Sequence, residues 1–216
     1  MHELVIFDCD GVLVDSESIS NGVLARLLTA EGLPTTLAEA RRDYQGLLLG
    51  EVIHSAEAKL GRALPEGWLV RYERERSAAF RDELKPVAGA PEAVRRVSAA
   101  GVAVCVASQG KLEKTRETLG MTGLRDLFAA DALFSAESVP RGKPHPDLFL
   151  HAARVMGSSP ARSVVVEDTP SGVMGAVSAG MRALGYAADS DERALAEAGA
   201  EVFGALDELP ALLALD

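Results

Sequence analysis

Four short apolar runs, Leu4 to Phe7, Val102 to Ala107, Ser163 to Val166 and Arg182 to Gly185, constrain this chain more than any other feature. None alternates polar with apolar residues, so each reads as a strand covered on both faces, the pattern of parallel strands buried between helices. Stretches with helical spacing lie between the later runs: Ala90 to Ala100, Lys111 to Leu119, Pro146 to Met156 and Ser171 to Ala179. From about residue 86 strand and helix therefore alternate, which predicts right-handed crossovers and a Rossmann-like open parallel sheet of the α/β class.

The first run is cut off from the others by residues 15–85, which show helical patterns at Gly22 to Ala30, Gly50 to Leu60 and Trp68 to Leu84 and no convincing strand. This segment reads as an inserted α-helical cap domain, with the Rossmann-like core formed by 1–14 and 86–216. A chain of 216 residues is long enough for one substantial core and a smaller appended unit. Hinges are expected after Val14 and at Lys85-Pro86-Val87-Ala88-Gly89, where Pro and Gly interrupt the helical pattern. The Ala-rich stretch Ala194 to Ala200 reads as a surface helix with Gly199 near its end.

Charge narrows the partners. The formal net charge is −10 and no run of Lys and Arg could track a phosphate backbone, so nucleic acid is not expected. A small anionic substrate remains compatible, because local cations and a metal can attract it while salt screens distant charges. Cys9 and Cys105 belong to no CxxC or Cys/His spacing and read as small core residues of a protein in a reducing compartment. Met1-His2-Glu3 is not a basic leader, and no apolar stretch reaches the ~20 residues that span a bilayer. A cytoplasmic protein without a membrane partner is expected, with a monomer as the default.

The chemistry-bearing residues fall at the ends of the apolar runs. Asp8 and Asp10 follow the first, and Gly11 permits the turn that would bring both carboxylates to one small volume, at the carboxyl end of a strand where open α/β sheets bind ligands. In isolation such a pair could equally end a strand and begin a solvated loop. Glu167 and Asp168 follow a second run, however, and like charges brought this close repel unless a cation neutralises them. Oxygen ligands without His or Cys favour Mg²⁺, which keeps waters and takes substrate phosphate oxygens. Lys143, in Arg141-Gly142-Lys143-Pro144-His145-Pro146, would be held by a loop that the two prolines keep extended, or would be simply solvated. Ser108 ends the second run, and its hydroxyl with the N–H groups of Gln109 and Gly110 could hold phosphate oxygens; the plainer alternative is a helix N-cap.

In this order the four elements resemble the four motifs of the haloacid dehalogenase-like hydrolase superfamily, over essentially the whole chain. The segment Asp8 to Glu17, the helical insert after it and Gly142-Lys143-Pro144 are similar to the branch of β-phosphoglucomutases and small-molecule phosphatases. The resemblance implies a nucleophile in Asp8, a general acid and base in Asp10, phosphoryl-holding roles for Ser108 and Lys143, and a Mg²⁺ held by Asp8, the Asp10 carbonyl and Asp168 with Glu167 in support. Two departures favour a phosphatase over a mutase. Ser20 stands where β-phosphoglucomutases have a cap His, and Gln45-Gly46-Leu47-Leu48-Leu49-Gly50 has Leu where an Arg would grip a second phosphate. The segment Val14 to Ser20 is similar to sugar-phosphate phosphatases, which implies a phosphorylated sugar or sugar acid as substrate. Asp15, Glu17, Asn21, Gln45 and Lys59 could line the cleft or serve as helix caps and solvated residues. The competing readings are a sugar-phosphate mutase and a non-catalytic binding protein of the same fold.

Overall fold

The computed structural model describes residues 2–44, 47 and 49–215. They form two compact units, Met1–Val14 with Lys85–Asp216, and Asp15–Leu84.

The larger unit is built on a sheet of six strands: β1 (Leu4–Phe7), β2 (Ala103–Ser108), β3 (Leu133–Ser135), β4 (Ser163–Glu167), β5 (Arg182–Tyr186) and β6 (Glu201–Phe203). Their order is β3-β2-β1-β4-β5-β6 and every pairing is parallel. Every residue of β1 and β4 is buried, as strands must be when both faces of the sheet are covered. Those faces are covered by the crossover helices α5 (Ala90–Ala99), α6 (Leu112–Met121), α7 (Asp147–Val155), α8 (Pro170–Ser178) and α9 (Glu192–Glu197), and by α10 (Leu209–Leu212) after the last strand. The chain builds outward from β1 through β2 to β3, then crosses back to β4 and builds to the other edge. The reversal falls between β1 and β4, and ligands of such sheets collect at the carboxyl ends of the strands flanking it.

Two strands were not foreseen. β3 and β6 are three residues each, too short to show a period, and both lie at sheet edges. β6 opens with an exposed Glu201 whose carboxylate pairs with Arg182 of β5 at 2.6 Å, a charge of the kind that blunts an edge against further pairing. The Ala-rich helix also starts earlier than expected: Asp191 caps α9 by accepting from the N–H groups of Arg193 and Ala194, and Gly199, at φ +106°, lies beyond its end.

The places where the chain leaves and re-enters this unit are tied together. Val14 bridges Pro86, and the Val87 N–H donates to the Leu13 carbonyl at 2.9 Å.

The smaller unit contains α1 (Ser16–Ala30), α2 (Leu37–Tyr44), α3 (Leu49–Leu60) and α4 (Trp68–Glu83). Leu27, Leu28, Ala40, Val52, Ala56, Trp68 and Tyr72 form its core, with the Trp68 and Tyr72 rings stacked at 5.8 Å. α2 is too short and charged to show an apolar face, yet it is capped reciprocally: Thr36 N–H donates to Glu39 Oε2 and Glu39 N–H to Thr36 Oγ1. Lys59 is committed within the unit to Asp43 at 2.7 Å, and Asn21 donates to the Glu17 carbonyl at 2.9 Å. Gln45, Gly46 and Leu48 lie outside the described residues. Among the described residues no helix is long and apolar enough to cross a membrane.

Candidate active site

β1 stops at Phe7, in register with Val106 on one side and Val166 on the other, and Asp8 follows while its N–H still donates to the Val166 carbonyl at 2.9 Å. The most central strand thus delivers a 6 % exposed carboxylate to the switch point. The chain then folds back at once: Leu13 and Val14 N–H groups donate to the Cys9 carbonyl, and Gly11 donates to Val14. Gly11 adopts φ +84°, and a Cβ there would stand 2.1 Å from Asp168 Oδ2, so the turn after β1 is pressed against the carboxylate that follows β4. Only glycine satisfies both conditions.

Lys143 reaches this place from the loop before α7. Its side chain is 5 % exposed, its ammonium contacts Asp8 Oδ1 and Glu167 Oε1, and it lies 5.3 Å from the centre of the Phe149 ring. The loop is not extended, as the two prolines suggested. The Lys143–Pro144 peptide is cis, His145 N–H donates to the Gly142 carbonyl at 3.0 Å, and Pro146 is already in the helical region at the start of α7. Lys143 is aimed by this turn and by Gln109, whose Oε1 accepts its N–H at 2.9 Å. Gln109 fills the space beside Gly142, where a Cβ would meet its amide at 2.5 Å.

Glu167 is the last residue of β4 and 1 % exposed. Its second oxygen accepts from Thr169 N–H at 3.0 Å and Thr169 Oγ1 at 2.8 Å, and Thr169 in turn caps α8 by accepting from Gly172 N–H. Both oxygens of Glu167 are therefore engaged by protein groups. Ser108, at the end of β2, is buried and accepts from Gly110 N–H at 3.0 Å; the N-cap of α6 is Lys111, so Ser108 closes a tight turn rather than capping the helix. Ser135 fixes the same turn from β3 by donating to the Gly110 carbonyl at 2.7 Å. Thr169, Phe149 and Lys114, whose ammonium holds Asp10, complete the site and were not singled out in the sequence.

The electrostatics follow from burial. Desolvation pushes the Asp8 carboxyl up to about 7; Lys143 opposes that shift, and the charges of Glu167 and Asp10 add to it. Burial alone would lower the Lys143 ammonium, but Asp8 and Glu167 outweigh it and raise Lys143 above its ordinary value, so it stays charged. Cys9 is held well above its ordinary range by burial, and its sulfur faces Thr118 at 3.8 Å.

Among the described residues no three acidic, His or Cys side chains are gathered as a metal cage. A hard dication that binds two carboxylates, a main-chain carbonyl, water and substrate oxygens needs no such cage. The donor set suits it: Asp8 and Asp168 are both 6 % exposed, the Asp10–Gly11 backbone passes directly beside Asp168, and the available donors are oxygens.

Gly172 gives a test of how closely the Glu167 contact is built. A Cβ there would fall 1.9 Å from the Glu167 carboxyl, whereas one at Gly120 in α6 meets nothing within 4 Å. Gly172→Ala is expected to cost ~1–3 kcal/mol by overpacking and to lower kcat/KM at least about tenfold as Lys143 loses its second anchor. Gly120→Ala should leave activity unchanged and raise stability by up to ~1 kcal/mol. Thermal melts and steady-state rates of both variants decide it, and a Gly172→Ala enzyme as active and stable as the parent would contradict the packing.

A doubly wound parallel sheet that gathers carboxylates, a buried ammonium and a serine turn at three adjacent strand ends is the architecture of a phosphoryl-transferring hydrolase. The chain belongs to the haloacid dehalogenase-like hydrolases, whose family profile matches residues 2–180, and it is a phosphohydrolase. It is 29 % identical over 211 residues to the 6-phosphogluconate phosphatase of Escherichia coli strain K12, covering 97 % of this chain and 94 % of that one. Hexitol phosphatase B of the same organism is 31 % identical over 183 residues, covering 83 % and 81 %. A conserved haloacid dehalogenase-like protein of Agrobacterium tumefaciens strain C58 superposes with a TM-score of 0.90 at 35 % identity, covering 99 % of this chain and 98 % of that one.

Proposed function

We propose that this chain is a Mg²⁺-dependent phosphatase of phosphorylated sugars or sugar acids, working through an aspartyl-phosphate on Asp8. The observation that carries the reading is Asp8 itself, a buried carboxylate at the switch point with a charged Lys143 against it. Names of relatives that act on 6-phosphogluconate and hexitol phosphates support the substrate class.

In the first step an Asp8 oxygen forms a bond to phosphorus as the bond from phosphorus to the ester oxygen breaks, and that oxygen takes its proton from Asp10. In the second, water attacks the phosphorus of the aspartyl-phosphate, gives a proton to Asp10, and the bond to Asp8 breaks to release phosphate. Lys143, the Ser108 hydroxyl and the Gln109 N–H hold the equatorial oxygens, on which charge spreads in transfer, while the Gly110 N–H keeps Ser108 in place. Glu167, engaged on both oxygens, fixes Lys143 in our reading more than it serves as a ligand. Asp8, the Asp10 carbonyl and Asp168 would hold Mg²⁺, which supplies charge neutralisation on the phosphoryl oxygens. That charge suits the place: Asp8 and Glu167 are two buried carboxylates sharing the Lys143 ammonium. The same reading makes the enzyme a cytoplasmic monomer, in keeping with two buried, unpaired cysteines.

The test is phosphate release from a panel of sugar, sugar-alcohol and sugar-acid phosphates with Mg²⁺ and with excess chelator. Release that chelation stops and Mg²⁺ restores is expected. No release from any compound, together with isomerisation dependent on a bisphosphate activator, would replace this reading by the mutase.

A further inference from the structure

The first turn of a helix is a poor place for a cation, because its unpaired N–H groups already carry positive partial charge. Lys114 is the third residue of α6 and sits there, with its ammonium 2.8 Å from each oxygen of Asp10. The pair joins positions 104 residues apart and is partly shielded, with side chains 31 % and 21 % exposed. A pair such as Arg193 with Glu197, at 86 % and 65 %, is the ordinary surface kind by contrast.

The turn that carries Asp10 does not need Lys114 to hold its shape. It is closed by its own main chain, through Gly11 to Val14 and through Leu13 and Val14 to Cys9. The grip of Lys114 on both oxygens restricts the side-chain rotations of the Asp10 carboxylate. Gly110 marks where they meet: a Cβ there would lie in ordinary contact with all three groups, 3.4 Å from Ser108 Oγ, 3.6 Å from Lys114 Cδ and 3.9 Å from Asp10 Oδ2. The turn after β2, the stem of Lys114 and the carboxylate of Asp10 thus converge on one spot.

The geometry points to Lys114 as a positioning residue that aims Asp10 for its proton exchange with the leaving oxygen and with the attacking water. This rests on the reading of Asp10 as general acid and base. Lys114 acts through the direction of the carboxylate and takes no part at phosphorus.

The experiment compares two leaving groups by kcat/KM, which reports formation of the aspartyl-phosphate. The best sugar phosphate of the panel leaves as an alkoxide that must be protonated; 4-nitrophenyl phosphate leaves as a stable phenolate that need not be. Lys114→Met should lose about tenfold or more on the sugar phosphate, a part of the ~10²–10⁴ that a positioned acid contributes. The loss should fall on kcat with KM nearly unchanged, be several-fold smaller on the aryl ester, and be largely rescued in Lys114→Arg. Lys114→Gln gives the same comparison should the methionine variant not fold. Equal losses on both esters, a rise in KM alone, or no loss would overturn the assignment. Asp10→Asn run beside them separates the two ideas: without a leaving-group bias in Asp10→Asn the acid–base reading itself fails, whereas a bias there and none in Lys114→Met removes only the role of Lys114.

Discussion

Asp8→Asn is expected to lower turnover by about 10⁴–10⁶-fold, the range reached when a covalent nucleophile is removed from an enzyme that depends on it. The substitution keeps the shape of the side chain and removes only the reacting oxygen's charge. It also has a consequence for stability of the opposite sign. Burial raises the Asp8 carboxyl to about 7 in the folded protein from an ordinary value of 3.8. Below 3.8 the group is neutral in both states, and its contribution to stability is intact. As pH rises through about 7 that contribution is lost, because a charge must now be kept in a buried place. Without metal, Asp8→Asn should therefore melt several degrees above the parent at pH 8, and the gap should close toward pH 4. Lys143 keeps Glu167 as its partner in the variant, so no buried ammonium is stranded. Phosphate release with the best substrate, and melting curves in chelator across that pH range, measure the two effects separately. Residual turnover within tenfold of the parent would end the nucleophile assignment, whatever the melts show.

The contrast between what the sequence displayed and what it hid follows from where each group lies. β1 and β4 are covered on both faces, so Leu4 to Phe7 and Val164 to Val166 are apolar runs and the first charge after each marks the site: Asp8 after Phe7, Glu167 and Asp168 after Val166. β3 and β6 are edge strands of three residues and carry no such run. α2 could have been found from Thr36 and Glu39, three apart, which is the signature of the reciprocal cap it forms. Lys114 offered less. A lysine on a helix reads as a solvated charge, and its partner lies 104 residues away, so only the folded chain reveals that it grips Asp10. The prolines flanking His145 misled in a different manner, because Pro144 takes part in a turn closed from His145 to Gly142 and Pro146 begins α7, which a pattern of prolines does not distinguish from an extended loop. Thr169 was visible before a helix, but its double duty, capping α8 and donating to Glu167, depends on β4 ending at Glu167.

Lys143→Met should be the most damaging single change to the fold, and it should harm the chemistry too. The side chain is 5 % exposed and meets two carboxylates that are 9 % and 1 % exposed, so its removal leaves buried negative charges facing each other without the cation between them. Breaking a buried pair by deleting one partner costs about 3–5 kcal/mol, which for a protein of this size lowers Tm by roughly 6–20 °C. Methionine fills much of the same space against Phe149, so the loss is electrostatic more than a cavity. The sign with pH checks this. Burial raises the Asp8 carboxyl to about 7, and its protonation relieves the repulsion, so the deficit relative to the parent should be larger at pH 8 than at pH 5. Catalysis should fall by at least ~10²–10³-fold even at a temperature where the variant is fully folded, because the proposed mechanism relies on Lys143 for a fixed positive charge at the phosphoryl group. Arginine should not rescue it: a planar fork does not fit a place shaped by Asp8, Glu167 and the Phe149 face around a compact ammonium. A Lys143→Met enzyme that melts with the parent at pH 8 would show that the two carboxylates do not share their charge in the folded state. The pairing of Lys143 with both would then have to be abandoned as the organising feature of the site.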